Sequence, residues 1–108
     1  MFTHASDCKE EVLPNGVKRV IKGYIKDLML VELTWQKGMV GVVHHHPHRQ
    51  AGYVVKGSFD VEVGPEKTTL YAGDVYYSEE DIPHGVVALE DGSILLDIFT
   101  PMRDDFVK

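Results

Sequence analysis

Histidine is concentrated in one short stretch of the chain, VVHHHPHRQ, which spans residues 42–50. Side chains two positions apart in an extended strand lie on the same face, so His44 and His46 can converge on one ion. Gln50 follows four residues after His46, beyond a proline where the chain can bend. His84 lies far along the sequence, between a proline and a glycine and before an apolar segment. We therefore predict a metal site with these three histidines and Gln50 as ligands.

The ligand types limit the ion to a group of metals but do not identify one of them. Three imidazoles and one amide suit Zn, Ni, Fe(II), Co or Mn, so the expected cofactor is a divalent transition metal of unspecified identity. A solvated histidine-rich loop with no ligand role is the alternative interpretation of the stretch. His45 and His48 fall outside the ligand spacing, and we expect them to be exposed or to be polar neighbours of the ligands.

A carboxylate interrupts the otherwise apolar segment SILLDIF, residues 93–99. Alternation places Leu95, Asp97 and Phe99 on one face of a strand. A buried carboxylate without a partner is costly, and its pKa rises. Asp97 is therefore either paired with a neighbouring Arg or Lys, or it is an acid/base group that lines the same cavity as the ion.

Arg103 and Phe99 complete the candidate catalytic set with Asp97. The formal net charge of the chain is -6, so binding of an anionic small molecule would need a local cation. The planar fork of Arg103 matches a substrate carboxylate. A surface pair with Asp104 or Asp105 is the alternative for this arginine. Phe99 either fills the core or stacks on a substrate ring.

Short strands must position these side chains. Apolar or alternating segments such as LMLVELTW, SFDVEV and HGVVAL are separated by turn signals, including Asn15-Gly16 and Asp91-Gly92. Many short strands with regular turns indicate an all-β sandwich or barrel. The tail PMRDDFVK is expected to contain one helical turn at most.

Composition limits the organisation and partners of the protein. A length of 108 residues with 44% hydrophobic residues suits one domain over residues 1–108, and the single cysteine, Cys8, cannot form an internal disulfide. The basic residues form no stripe, so nucleic acid is not expected as a partner. No apolar run is long enough to span a membrane, and the cytoplasm is the expected compartment.

The second face of the last strand carries Ile94, Leu96 and Ile98. A small one-barrel domain has no third layer to cover such a face. An apolar exterior strip of this kind predicts a homodimer.

Two separated blocks of the sequence resemble the two motifs of the cupin superfamily. The block from Gly38 to Gly57 reads G-x5-H-x-H-x3-Q-x6-G, where the family pattern is G-x5-H-x-H-x3,4-E-x6-G. The second block begins at Gly73 and keeps His84 in register. The resemblance implies a single-domain cupin, which is a double-stranded β-helix or jelly-roll barrel. The departures in the second block are Glu79, Asp81 and Ala88, where Pro, Gly and Asn are usual.

Gln50 stands where the cupin pattern has Glu. The amide removes one negative charge from the ligand set. A bound ion therefore keeps more of its positive charge and should act more strongly as a Lewis acid.

When most of the chain is considered, the sequence resembles one smaller family within the cupins. The segments NGVKRVI, LMLVE, GMVGVVHHHPHRQAGYVVKG and LLDIFTPMRDDF look like the small cupins of the pectin-degradation family KdgF. The metal ligands of that family are three His and one Gln, and its active-site Asp, Phe and Arg correspond to Asp97, Phe99 and Arg103. Arg49 stands where an acidic residue is expected, and it could alter substrate affinity at the cavity mouth.

The KdgF resemblance implies an activity on a small anionic sugar. The expected substrates are monomeric 4,5-unsaturated uronates from pectin or alginate lyases, which the enzyme would convert to linear keto-deoxyuronates. Two other functions stay open because one barrel hosts many chemistries. They are a non-catalytic sugar-binding cupin and a metal-dependent cupin dioxygenase.

Overall fold

The computed structural model describes residues 1–107, which contain ten β-strands and two short 3₁₀ turns. The 3₁₀ turns span Ala5–Asp7 and Asp104–Phe106, and the second is the turn expected in the tail. The all-β prediction is confirmed. The strands are β1 (Glu10–Val12), β2 (Lys18–Ile25), β3 (Leu28–Trp35), β4 (Val40–His44), β5 (Arg49–Lys56), β6 (Ser58–Val63), β7 (Glu66–Tyr71), β8 (Val75–Ser78), β9 (His84–Ala88) and β10 (Ser93–Thr100).

The strands form two antiparallel sheets with a shared core. The order is β1-β2-β3-β10-β5-β8 in the larger sheet and β4-β9-β6-β7 in the smaller one. Trp35 of β3 and Phe59 of β6 join the sheets through an edge-to-face contact with 5.6 Å between ring centroids. The chain crosses between the sheets from β3 to β4 and again from β4 to β5. This arrangement is the predicted jelly-roll barrel.

Period-two alternation decides which side chains of β10 face the barrel interior. The inner residues Leu95, Asp97 and Phe99 are buried, as the sequence predicted. β10 lies between β3 and β5, so its other face forms the middle of the outer surface of the larger sheet. The outer residues are Ile94, Leu96 and Ile98, which are half-buried.

The N-terminal part of the chain adds one strand that the sequence did not indicate. β1 is three residues long and pairs with β2 at the edge of the larger sheet. Cys8, which precedes it, is a half-buried free thiol. Within residues 1–107, no helix combines the length and the apolarity needed to cross a bilayer.

Candidate functional site

Three imidazoles and one amide oxygen meet at one end of the barrel interior. One ring nitrogen from each of His44, His46 and His84 lies within 4.8 Å of the others. The Gln50 Oε1 atom lies 3.0 Å from His46 Nε2 and 3.1 Å from His84 Nε2. His46, Gln50 and His84 are buried, whereas His44 is exposed. The structure therefore brings together the four predicted ligands and leaves one side of the cluster open.

Strand pairing, and not alternation along one strand, produces this convergence. β4 ends at His44, and the chain bends at positions 47–48. His46 thus lies in the connection, which corrects the argument that both histidines share a strand face. His44 pairs with His84 at the start of β9. The bend at positions 47–48 is the one expected beyond His46, and it leads into β5, where the Gln50 side chain is buried.

Each candidate histidine is oriented by a backbone carbonyl. The Nδ1 atoms of His44, His46 and His84 lie 2.8, 3.1 and 2.9 Å from the carbonyl oxygens of Val42, His48 and Ile82. A carbonyl oxygen only accepts, so each Nδ1 carries the proton and donates. The Nε2 atoms are consequently left with free lone pairs.

The donor set fits a metal ion. The Nε2 atoms of His46 and His84 face Gln50 Oε1, which is also an acceptor, with no proton between them. A cation among these atoms removes the conflict. Neutral imidazoles and an amide oxygen are ligands that divalent transition metals accept.

The buried histidines are neutral at neutral pH. Burial, together with the nearby positive charge of Arg103, lowers the pKa of His46 to about 4. Burial also lowers the pKa of His84. Because a metal binds the neutral imidazole, these residues need not release a proton when an ion enters.

Asp97 lies next to the ligand cluster inside the barrel. Burial raises the pKa of its carboxyl to about 7, although hydrogen bonds with Gln50 and Tyr76 act in the opposite direction. In the described part of the chain its side-chain partners are these two residues and not a Lys or Arg. The ion pair of Asp97 with a neighbouring Arg or Lys, which was one of its two sequence interpretations, is therefore not found in the described residues.

Tyr76 is a site residue that the sequence did not reveal. Its hydroxyl accepts a hydrogen bond from Gln50 Nε2 at 2.9 Å and donates to Asp97 Oδ1 at 3.4 Å. Tyr76 is buried, whereas the adjacent Tyr77 is 73% exposed. Alternation in VYYS shows that one tyrosine faces inward, but only the pairing of β8 with β5 decides which one.

Arg103 lies at the cavity with its guanidinium held on two sides. Its Nε and Nη2 atoms donate to Asp105 at 3.0 and 2.8 Å. The guanidinium carbon lies 4.2 Å from the centre of the Phe106 ring and 5.2 Å from that of Phe99. Arg103 therefore forms the pair with Asp105 that was one of its sequence interpretations, and it also lines the cavity. Its role in binding a substrate carboxylate stays a prediction.

The cavity that joins these groups has a volume of about 220 Å³. Its remaining lining is mostly apolar and comes from the barrel core. A larger groove of about 630 Å³ lies on the smaller sheet and contains none of the predicted site residues. The polar lining of the smaller cavity includes His44, Gln50, Tyr76, His84, Asp97 and Arg103.

The other singled-out residues lie at the edge of the site or outside it. His45 is exposed, 3.6 Å from Asp81. The centroid of the His48 ring lies 5.4 Å from that of the His46 ring, so His48 neighbours a candidate ligand. Arg49 points to the opposite side of β5 from Gln50 and pairs with Glu80 at 2.7 Å. The expected influence of Arg49 at the cavity mouth therefore has no support in this geometry.

A barrel of this topology with a histidine cluster at one end defines the cupin class, and the comparisons with known proteins agree. The family model described as Cupin domain matches residues 31–99, and the chain belongs to the cupin family. The chain is 45% identical over 98 residues to the pectin degradation protein KdgF of Dickeya dadantii (strain 3937). That match covers 90% of this chain and 89% of the relative.

Solved structures show the same similarity. KdgF from Halomonas sp. superposes with a TM-score of 0.93 and 38% identity, covering 98% of this chain and 99% of that one. An RmlC-like cupin from Shewanella frigidimarina gives a TM-score of 0.91 and 38% identity, with coverage of 97% and 94%. The fold predicted from the two sequence motifs is confirmed.

Proposed function

We propose that this protein is a metal-dependent enzyme that converts monomeric 4,5-unsaturated uronates to linear keto-deoxyuronates. The observation that carries the proposal is the placement of the ligand cluster, Asp97 and Arg103 around one small cavity. The similarity to two KdgF proteins supports the connection with pectin degradation. The cavity is smaller than the roughly 300–1,000 Å³ of pockets for drug-sized ligands, which favours a single sugar.

His44, His46, Gln50 and His84 would hold the ion. A divalent transition metal bound there supplies Lewis-acid polarisation of substrate oxygens. The open side next to His44 leaves room for substrate, because His44 is exposed and lines the cavity.

Arg103 would bind the substrate carboxylate. Asp105 occupies the Nε and Nη2 edge of its guanidinium. The edge formed by Nη1 and the second N–H of Nη2 remains available for a bidentate contact. Phe99, whose ring contacts both the guanidinium and the His46 ring, would pack against the sugar.

Asp97 would move the proton. Its raised pKa keeps a protonated fraction near neutral pH, so it can donate a proton to C4 of the double bond. Positive charge then develops at C5, where the ring oxygen shares it. Water adds at C5 and returns its proton to Asp97. The resulting hemiketal opens to the linear keto form, and the carboxyl ends in its original state.

The test of this proposal is the loss of the enol absorbance of a monomeric unsaturated uronate. Unsaturated galacturonate and its alginate-derived counterpart should both be offered, with and without oxygen. Turnover that is equal without oxygen supports the proposal and excludes a dioxygenase. Binding of the sugar without loss of absorbance would instead indicate a sugar-binding cupin.

Arg103→Lys should raise KM roughly 10- to 100-fold, with a smaller change in kcat. Lysine keeps the charge but loses the planar fork, and a hydrogen bond to a charged group contributes about 1.5–3 kcal/mol. Initial rates over a range of uronate concentrations measure this. Arg49→Lys on the outer face is the matched control and should leave KM unchanged. An unaltered KM in Arg103→Lys would show that another group binds the carboxylate.

We also propose that the protein is a homodimer that covers the outer face of the larger sheet. Leu96 and Ile98 of β10 lie there beside Tyr53 of β5, which is 41% exposed. The measurement is the mass in solution by light scattering, expected at twice the chain mass of 12.1 kDa. Leu96→Glu should give monomers if this face is the interface, and an unchanged dimer would place the interface elsewhere.

A further inference from the structure

We propose that Tyr76 is a positioning residue that orients the Gln50 side-chain amide, so that the oxygen and not the nitrogen faces the imidazoles. This inference rests on the proposed role of Gln50 as a metal ligand. It adds a function for Tyr76 through its contacts with Gln50 and Asp97.

A glutamine ligand has a problem that a glutamate ligand lacks. The two ends of the amide are similar in shape, but only the oxygen has a lone pair for a metal. Without an ion, Gln50 Oε1 faces two acceptor nitrogens, on His46 and His84. An amide turned by 180° would donate to these nitrogens instead. The imidazoles therefore favour the wrong orientation, and the correct one needs a directional partner on the other side.

Tyr76 supplies this direction. Asp97 retains an acceptor oxygen in either protonation state, so the Tyr76 hydroxyl donates to it. The hydroxyl oxygen is then left as an acceptor, and it receives the Gln50 Nε2–H group at 2.9 Å. Burial and the nearby Asp97 charge raise the pKa of Tyr76 well above its ordinary value, so the hydroxyl keeps its proton. The hydrogen bonds thus run one way, from Gln50 through Tyr76 to Asp97, and the direct contact of Gln50 with Asp97 favours the same orientation of the amide.

The position of the Tyr76 ring is itself determined by the backbone opposite. Gly52 of β5 pairs with Tyr76 of β8, and a Cβ atom at Gly52 would collide with the ring. The absent side chain leaves the space in which the buried ring lies. The hydroxyl is therefore held at a defined point between Gln50 and Asp97.

The experiment measures Zn²⁺ affinity by competition with a chromophoric chelator. Tyr76→Phe should bind Zn²⁺ roughly 10- to 100-fold more weakly than the unaltered protein, which is the usual range for residues that orient metal ligands. Tyr77→Phe is the matched control, because that hydroxyl is on the exposed side of the same strand, and its affinity should be unchanged. Thermal melting of the metal-free proteins checks that both variants fold.

A second comparison, made in a protein that carries Gln50→Glu, distinguishes an effect of Tyr76 on the orientation of the amide from an effect on packing. The carboxylate introduced by Gln50→Glu has two equivalent oxygens, so either of them can bind the metal and no orientation is unsuitable. In that background Tyr76→Phe should weaken Zn²⁺ binding by less than roughly tenfold. An equal loss in both backgrounds would overturn the inference, and so would full affinity of Tyr76→Phe alone. If the unaltered protein itself does not bind Zn²⁺ or another divalent transition ion, the proposed metal site fails and the inference fails with it.

Discussion

Asp97→Asn should lower kcat for the unsaturated uronate roughly 10²- to 10⁴-fold, the usual contribution of a positioned acid or base. Asparagine has nearly the same shape, and its side-chain oxygen can still accept from Tyr76. It cannot donate a proton to C4 or remove one from water. The buried carboxyl is suited to this task because burial raises its pKa to about 7. The loss of enol absorbance under substrate saturation measures the effect.

The control for Asp97→Asn is a second aspartate in a strand. Asp60 in β6 is exposed, accepts a hydrogen bond from Thr69, and is not among the residues that line the cavity. Asp60→Asn should leave kcat unchanged. The Zn²⁺ affinity of Asp97→Asn should stay within roughly tenfold of the unaltered value, since the Tyr76 contact survives. An undiminished kcat in Asp97→Asn would rule out the acid/base role while leaving the metal site intact.

Removal of the metal should lower the rate at least roughly 10²-fold, because Lewis-acid stabilisation contributes several kcal/mol. Treatment with a chelator followed by gel filtration prepares the metal-free protein. Adding Zn, Ni, Fe(II), Co or Mn separately should restore activity with at least one of them, which also identifies the functional ion. The melting temperature should rise on reloading, since an ion that binds the native state stabilises it.

Variants of single histidines test whether the metal that activity requires is bound by the proposed ligands. His84→Ala should abolish high-affinity metal binding, because His84 is buried in the cluster and contacts Gln50 Oε1. His45→Ala is the matched control, because this ring is exposed and lies beside Asp81 outside the cluster. Full activity of the metal-free protein, or equal losses in the two variants, would contradict the proposed metal centre.

Much of the fold was accessible from the sequence because strand alternation is a local property. The segment LMLVELTW predicted β3 with its correct bounds, and SILLDIF predicted the buried face of β10. The identities of the candidate ligands also followed from local spacing and from the resemblance to cupin motifs. The all-β class and the jelly roll needed no knowledge of side-chain contacts.

Other features depended on which distant strands pair. The spacing of His44 and His46 suggested one strand face, but β4 ends between them and the approach of His84 on β9 completes the cluster. The pairing of Tyr76 with Gly52 selected Tyr76 over Tyr77 as the inward residue. No local pattern contains that choice.

The sequence by itself therefore determined most of the strands, the inward face of β10 and the residue types available for chemistry, because a strand's period of two acts over a few neighbouring residues. Only the tertiary structure decided that Gln50, Tyr76 and Asp97 form one directed hydrogen-bond chain beside the imidazoles. It also decided that Arg103 is held by Asp105 while it lines the same cavity. The physical reason is that Gln50, Tyr76, Asp97 and Arg103 come from different segments, and their mutual placement is set by the packing of two sheets around a common core.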